Sequence, residues 1–344
     1  MNTTAQNTLK EKWDALKEEQ PKLRIRNAAE LLQVSEAELL ATKINEGVTR
    51  LEPKFAEILQ EIESLGKVMG LTRNEECVHE RKGTYLNADF SSPHAQLFVG
   101  DDIDMRIFLT HWKFAFAVEE GERKSLQFFG KDGMAIHKIY LTKTSNEEAY
   151  TNLVEKYKSI AQDALVDTEE VAPKPIETPD NEIDVKSFQE DWVNLKDTHN
   201  FFGMLRKYKL NRLQALRLAP NETLAKKIDN KKVVSLLEEA AKRKLPIMVF
   251  VGNRGNIQIH TGAIKKTMWH NTWINVLDPD FNLHLNTDKI AETWVVRKPT
   301  EDGDVTAVEV FNKEGDIIVQ FFGKRKPGIP ELESWRELVK DLEA

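Results

Sequence analysis

The chain carries one strand pair twice. Ser125-Leu-Gln-Phe-Phe-Gly-Lys-Asp-Gly-Met-Ala-Ile-His-Lys-Ile-Tyr140 aligns without a gap on Ala307-Val-Glu-Val-Phe-Asn-Lys-Glu-Gly-Asp-Ile-Ile-Val-Gln-Phe-Phe322, at an offset of 182 residues. Phe129 meets Phe311 and Gly133 meets Gly315. Each copy is two apolar runs around a glycine-containing turn, which is the signal of a β-hairpin. Upstream, Thr72-Arg73 followed by Val78-His79 parallels Asn253-Arg254 followed by Ile259-His260, at an offset of 181. Two matches in the same order at nearly the same offset point to internal duplication. A chain built this way folds into two similar halves.

The boundary between the halves is legible in composition. Residues 165–184 are acidic, nearly free of aromatics, and hold Pro173, Pro175 and Pro179. Such a stretch cannot build a core and reads as an extended linker. The expected division is 1–164 for the first half, 165–184 for the linker and 185–344 for the second half.

Within each half, helices come first and strands follow. Asn7–Glu19 and Leu51–Leu65 have helical spacing, and Ser35-Glu-Ala-Glu38 is a capping box. Gly66 is placed to stop a helix. Strands are expected at Gln96–Val99, Met105–Leu109, Phe114–Val118, Leu126–Phe129 and Ala135–Leu141, with a closing helix over Asn146–Leu165. In the second half, Asp184–Tyr208 reads as one long helix, followed by helices over Arg212–Leu218 and Lys231–Arg243. Strands are expected at Ile247–Val251, Ile257–His260, Trp273–Leu277, Phe281–Leu285, Thr293–Arg297, Val305–Phe311 and Ile317–Phe322. Phe281-Asn-Leu-His-Leu-Asn286 alternates apolar and polar residues, so one face of that strand is buried and the other wet. Strands without crossover helices between them give an α+β fold with a large antiparallel sheet in each half.

Several function classes fall away. The 344 residues hold 49 Lys+Arg against 56 Asp+Glu, a net charge of −7, whereas a dedicated nucleic-acid binder is usually basic. A basic island does occur at residues 201–244, where twelve Lys and Arg face four acids. It keeps a nucleic-acid or acidic-partner binding module as a minor alternative, although aromatics interleaved with the charges are sparse. The single cysteine, Cys77, excludes an internal disulfide and a multi-cysteine zinc site. It is expected to be a small buried residue. Met1 to Glu19 has no apolar signal-peptide core, and a cytoplasmic location is expected. No Walker loop, dinucleotide fingerprint, nucleophile elbow or HExxH motif is present. Gly252-Asn-Arg-Gly255 lies between strand signals and reads as a hairpin turn.

The eight histidines show no zinc-like spacing. A metal held by protein side chains is therefore expected to have a single His ligand. One axial His is how many haem proteins hold iron, since the porphyrin supplies the other four nitrogens. His199 lies in Lys196-Asp-Thr-His-Asn-Phe-Phe-Gly203, with Leu195 and Phe202 on its face if the segment is helical.

The sequence closely resembles the bacterial haem-handling family of hemin-degrading factors, or hemin transport proteins. The segments that carry the resemblance are Asp197-Thr-His-Asn-Phe-Phe202, Phe250-Val-Gly-Asn-Arg-Gly255, Trp273-Ile-Asn-Val276, Arg297-Lys-Pro-Thr-Glu-Asp-Gly303 and Met105-Arg-Ile-Phe-Leu109. It implies two similar halves with haem b between them as ligand or substrate. His199 is the implied axial iron ligand, and Arg106 the implied catalytic residue on the distal side. Arg212, Lys298 and Arg325 are the implied propionate partners, joined by Gln320, while Phe108 is an implied wall of the haem site. A family tyrosine falls at Phe322, which removes a hydroxyl donor. His79 matches a proposed secondary haem contact. The implied activities are haem binding in iron acquisition with oxygen-dependent haem degradation, or non-enzymatic delivery to a separate oxygenase. The implied partners are an inner-membrane haem importer and an external reductant.

Overall fold

A computed structural model describes residues 2–163, 165–325 and 328–344, with side chains from Thr8 onward. Ala164, where the sequence places the end of the first half, lies outside the described residues. The chain forms two compact units. One holds the chain up to Arg73, Glu80–Ala172 and Gly252–Gln258; the other holds Asn74–His79, Pro173–Val251 and Ile259–Ala344. We call them unit 1 and unit 2.

Five strands of unit 1 run antiparallel in the order Val48–Leu51, Trp112–Glu120, Arg123–Gly130, Ala135–Leu141, Val68–Arg73. Unit 2 repeats that order with Ala225–Ile228, Glu292–Lys298, Val305–Phe311, Ile317–Gly323 and Pro246–Gly252. Each unit also has a three-stranded antiparallel run. In unit 1 this is Ala88–Asp89, Gln96–Val99 and Asp104–Ile107; in unit 2 it is Thr267–His270, Trp273–Leu277 and Phe281–Asn286. The duplication extends to irregularities. The register slips at Phe128/Phe129 in one unit and at Val310/Phe311 in the other, again 182 residues apart. The α+β fold with duplicated halves is borne out.

The pleat explains the core. In unit 2, Val249, Val295, Val308, Val310, Val319 and Phe321 point to one face of the sheet and are fully buried. Leu236 of the helix Lys232–Lys242, and Trp335 and Leu338 of the helix Glu333–Glu343, pack in the same cluster. On the opposite face, Trp294, Val296 and Phe311 meet Phe188, Trp192 and Phe201. Cys77 is buried in the core of unit 2, as a small apolar residue.

Each unit takes in one hairpin tip from the other half of the sequence, and an asparagine anchors each tip. The Asn74 side-chain oxygen accepts the amides of Glu76 and Cys77, while its Nδ2 donates to the Ile318 carbonyl at 2.8 Å. In unit 1 the Asn253 side-chain oxygen accepts the amides of Gly255 and Asn256, and its Nδ2 donates to the Ile136 carbonyl at 2.9 Å. Short amide side chains that fold back on the backbone make such turns. The Gly252–Gly255 turn is therefore the expected hairpin tip.

Three expectations change. The helix expected over Asn146–Leu165 ends at Tyr157, because Lys158 turns extended and bridges Leu51, and Ser159 donates to the Arg50 carbonyl. Leu51–Leu65 starts as the end of a strand; the helix begins at Phe55, after Pro53, and tightens to a 3-10 turn that Gly66 ends at φ 68°. Asp184–Tyr208 is two helices, Val185–Val193 and Asn200–Lys207. The break falls where Asn194 and Asp197 offer the backbone side-chain hydrogen bonds that compete with a helix. The Ser35 capping box forms as expected, with Ser35 and Glu38 each accepting the other's amide.

The duplicated hairpin turns give a paired test. Gly133 and Gly315 have φ of 74° and 75°, in the left-handed region. An alanine side chain at Gly315 would meet only Leu213, at 3.7 Å, whereas at Gly133 it would overlap the Ser35 side chain that caps the next helix. Gly315→Ala is expected to cost about 1–2 kcal/mol of backbone strain. Gly133→Ala should cost more, by roughly the 0.5–2 kcal/mol a lost cap removes. Equal losses in urea unfolding would contradict the overlap.

Candidate functional site

The break between the two helices of unit 2 creates the most exposed imidazole geometry in the predicted site. His199 sits at the N-terminal boundary of the helix Asn200–Lys207, with φ −66° and ψ −28°. Its side chain is 91% exposed. Asp197 holds it twice: Oδ1 accepts the His199 backbone amide at 2.8 Å and contacts Nδ1 at 2.7 Å. A carboxylate on Nδ1 fixes that nitrogen as the proton carrier and leaves Nε2 as the lone-pair donor. The Asp197 carboxyl is held below its ordinary range, chiefly by the His199 amide, with help from the imidazole and from the charge of Arg325. It therefore stays ionised at neutral pH. Arg325, in the chain following Ile317–Gly323, is thus brought to the same corner.

Behind the histidine the site is closely packed. Phe201 is buried at 1% exposure and packs edge-on against Trp192, with ring centroids 4.8 Å apart. Two cations lie over the Phe201 ring, Arg212 at 5.2 Å and Lys298 at 4.7 Å. Both converge on Glu309, which has no exposed surface. Arg212 grips it through Nε, at 2.6 Å, and Nη2, leaving Nη1 outside the pair; Lys298 lies 3.4 Å away. The two cations hold the Glu309 carboxyl well below its ordinary range despite burial. Burial and the Arg212 charge push the Lys298 amine down to about 8.

Gln320 is paired with Glu309 on one side and Phe250 on the other. It shares its sheet face with Phe322, whose ring lies 4.9 Å from that of Phe250. Met248, Phe250, Gln320 and Phe322 are only half-buried, so this part of the unit 2 sheet is an open, mainly apolar face. Unit 2 thus holds Arg325 near Asp197 and His199, Arg212 and Lys298 on Glu309, and Gln320 on the sheet face of Phe322. Phe322 presents only ring carbon at this face.

Two predicted residues lie in unit 1. Arg106 is on the strand Asp104–Ile107, paired with Leu97, and is ion-paired to Asp104. Burial pushes the Asp104 carboxyl up, against the pull of Arg106. Met105 and Ile107 point into the core, so Arg106 and the half-buried Phe108 follow the opposite face. The Phe108 amide donates to the Gly255 carbonyl at 2.8 Å, which ties its backbone to the hairpin tip. His79 falls in unit 2, without exposed surface, 5.0 Å from the ring of Phe281.

Sequence reasoning leaves the imidazole's acceptor open between Asp197 and Asn200, and it misses Glu309 as the counter-charge. Asp197 and Glu309 each left a trace. Asp197 stands two residues before the histidine, the spacing of an aspartate that folds back on the chain. Glu309 is a lone charge in the apolar run Val305-Thr-Ala-Val-Glu-Val-Phe311.

Comparison with known proteins agrees with this duplicated architecture. The model of the haemin-degrading HemS.ChuX domain matches twice, at residues 33–157 and 209–342. The chain is 37% identical over 343 residues to the hemin transport protein HmuS of Yersinia pestis, covering 97% of each. It superposes on apo-PhuS, a heme-binding protein from Pseudomonas aeruginosa, with a TM-score of 0.96 at 46% identity, covering 98% of this chain and 99% of that one. ChuS, described as an E. coli heme oxygenase, gives 0.87 at 34% identity with the same coverage. His199 lies between the two matched segments, outside both copies of the domain. With both copies present in order along nearly the whole chain, the protein belongs to the haemin-degrading HemS/ChuX domain family.

Proposed function

We propose that the protein binds haem through His199 in bacterial haem uptake and iron acquisition, and that it degrades haem with electrons from an external reductant. The observation that carries the reading is the His199 imidazole, exposed and anchored by an ionised Asp197. The donor set fits haem. A neutral imidazole suits iron, guanidinium and ammonium groups suit propionates, and the half-buried aromatic face suits the macrocycle. PhuS is described as heme-binding and HmuS as a hemin transport protein, which supports the same reading.

Each residue then has a task. Asp197 keeps the proton on Nδ1, which leaves Nε2 as the nitrogen that would hold the iron. Arg212 offers Nη1, and Arg325 its guanidinium, to the propionates; Lys298 and Gln320 complete that side. Phe108 walls the macrocycle. Arg106 supplies a permanently charged hydrogen-bond donor for oxygen chemistry, oriented by Asp104. The redox chemistry itself is the haem's. The ligand is taken to be haem b, delivered in the cytoplasm from an inner-membrane importer.

The test is a hemin titration followed by visible spectroscopy, then ascorbate under air with catalase present. A saturable one-to-one Soret shift is expected, followed by loss of the Soret band as the ring opens. No saturable shift would end the proposal. A bound haem that survives the reductant and passes intact to an acceptor would establish the carrier reading instead. Arg106→Ala is expected to spare most of the binding and slow ring opening about 10²–10³-fold, the scale of losing one charge-stabilising donor. Equal rates would remove Arg106 from the chemistry.

A further inference from the structure

The exposed stripe of the helix Asn200–Lys207 has a composition that solvation does not explain. Phe201, Met204 and Leu205 face the core. The opposite stripe runs His199, Phe202, Gly203 and Arg206, at the i, i+3, i+4 and i+7 positions of one helix face. Phe202 is 63% exposed. The Arg206 guanidinium lies 5.0 Å above its ring. The ion pairs described for this helix's basic end belong to Lys207, which pairs with Asp191. Gly203 stands mid-helix, where it is a poor helix former, and a side chain there would meet nothing within 4 Å. Among the described residues, no packing in unit 2 demands a bare backbone at that point. A glycine in that place suits close approach of something flat to the helix.

We propose that this stripe is a platform for the haem ring and that Arg206 is a further propionate-binding residue. The inference rests on His199 being the axial ligand. A ring held through Nε2 would have room to lie over the i+3 and i+4 positions of this exposed stripe. Gly203 leaves room for its face, and Phe202 offers an aromatic edge. Arg206 stands seven residues along, a rise of about 10 Å, which matches the reach from the centre of the macrocycle to its carboxylates. The cation–π contact with Phe202 holds the guanidinium over the stripe rather than letting it swing into solvent. Arg206 thus adds a charge-assisted donor at the edge of the ring, on the helix that also supplies the iron ligand.

The experiment compares hemin with hemin dimethyl ester, whose propionates are blocked, as ligands for wild type, Arg206→Gln and Gly203→Leu. Arg206→Gln is expected to weaken hemin binding about tenfold while leaving the affinity for the ester and the Soret position unchanged. Gly203→Leu introduces a better helix former, so the fold should be kept or strengthened. It should nonetheless weaken both ligands, because the side chain stands in the path of the ring. Wild-type affinity for hemin in Arg206→Gln, or an equal loss for hemin and ester, would overturn the carboxylate contact. Undiminished binding by Gly203→Leu would overturn the platform. Absence of a hemin-induced Soret shift in the wild type would instead reject the His199 reading on which the inference stands.

Discussion

His199→Ala is expected to abolish the saturable Soret shift that hemin should produce in the wild type. Among the described residues around Asp197, the imidazole is the aromatic nitrogen donor placed at the surface for iron, and its loss leaves only edge contacts. Asp197→Asn grades the same effect. The amide cannot carry the negative charge that keeps the proton on Nδ1, so the ring is free to take the wrong tautomer and loses basicity. Outer-shell changes of this kind cost about 10–100-fold in metal affinity. The order wild type, Asp197→Asn, His199→Ala in rising Kd is therefore expected, with a weakened iron–histidine stretch in the Asp197 variant. An Asp197→Asn protein with wild-type affinity and an unchanged stretch would remove the carboxylate from the site, whatever the alanine variant did.

The second large effect is on stability. Glu309→Gln keeps the shape of the side chain and removes the charge that Arg212 and Lys298 share. Breaking a buried ion cluster from one side costs about 3–5 kcal/mol, because the remaining charges stay buried without compensation. A denaturant midpoint within error of wild type would sink the account. The sign with pH follows from the direction of each shift. The folded Glu309 carboxyl lies below its unfolded value, so its contribution is complete above about pH 4.5 and is lost as the pH falls through the folded value. In the variant, Lys298 sheds its proton more readily still. The deficit should therefore shrink as the pH rises towards 8 and stay level above it, where wild-type Lys298 is also neutral, and Lys298→Met in the same background should restore part of the loss.

The repeat was legible because a hairpin is local: two apolar runs, a glycine turn and a fixed offset suffice, and even the shared bulge follows that offset. The single helix expected over Asp184–Tyr208 was not two helices to any periodicity argument. Phe188, Trp192, Leu195, Phe201 and Leu205 keep close to helical spacing across the break, whereas the break is made by Asn194 and Asp197 side chains turning onto the backbone. That same turn exposes the histidine, so the feature hardest to read is the one that makes the ligand. Arg212, Lys298, Gln320 and Arg325 could be named from resemblance. Glu309, the common partner of Arg212 and Lys298, could not, since its meaning depends on a strand register that only the folded sheet supplies.

The asparagine-anchored tips bear on how the protein is made. Unit 1 includes Gly252–Gln258, whose Asn253 caps the carbonyl of Ile136. A ribosome that has just finished Ala172 has made nearly all of unit 1 but not that piece. At about 5–20 residues per second, some 86 further residues take roughly 4–17 s to arrive. During that interval the nascent chain holds an unfinished sheet. A truncated product ending in the acidic linker would hold it permanently, and is expected to be a client of chaperones rather than a free-standing domain.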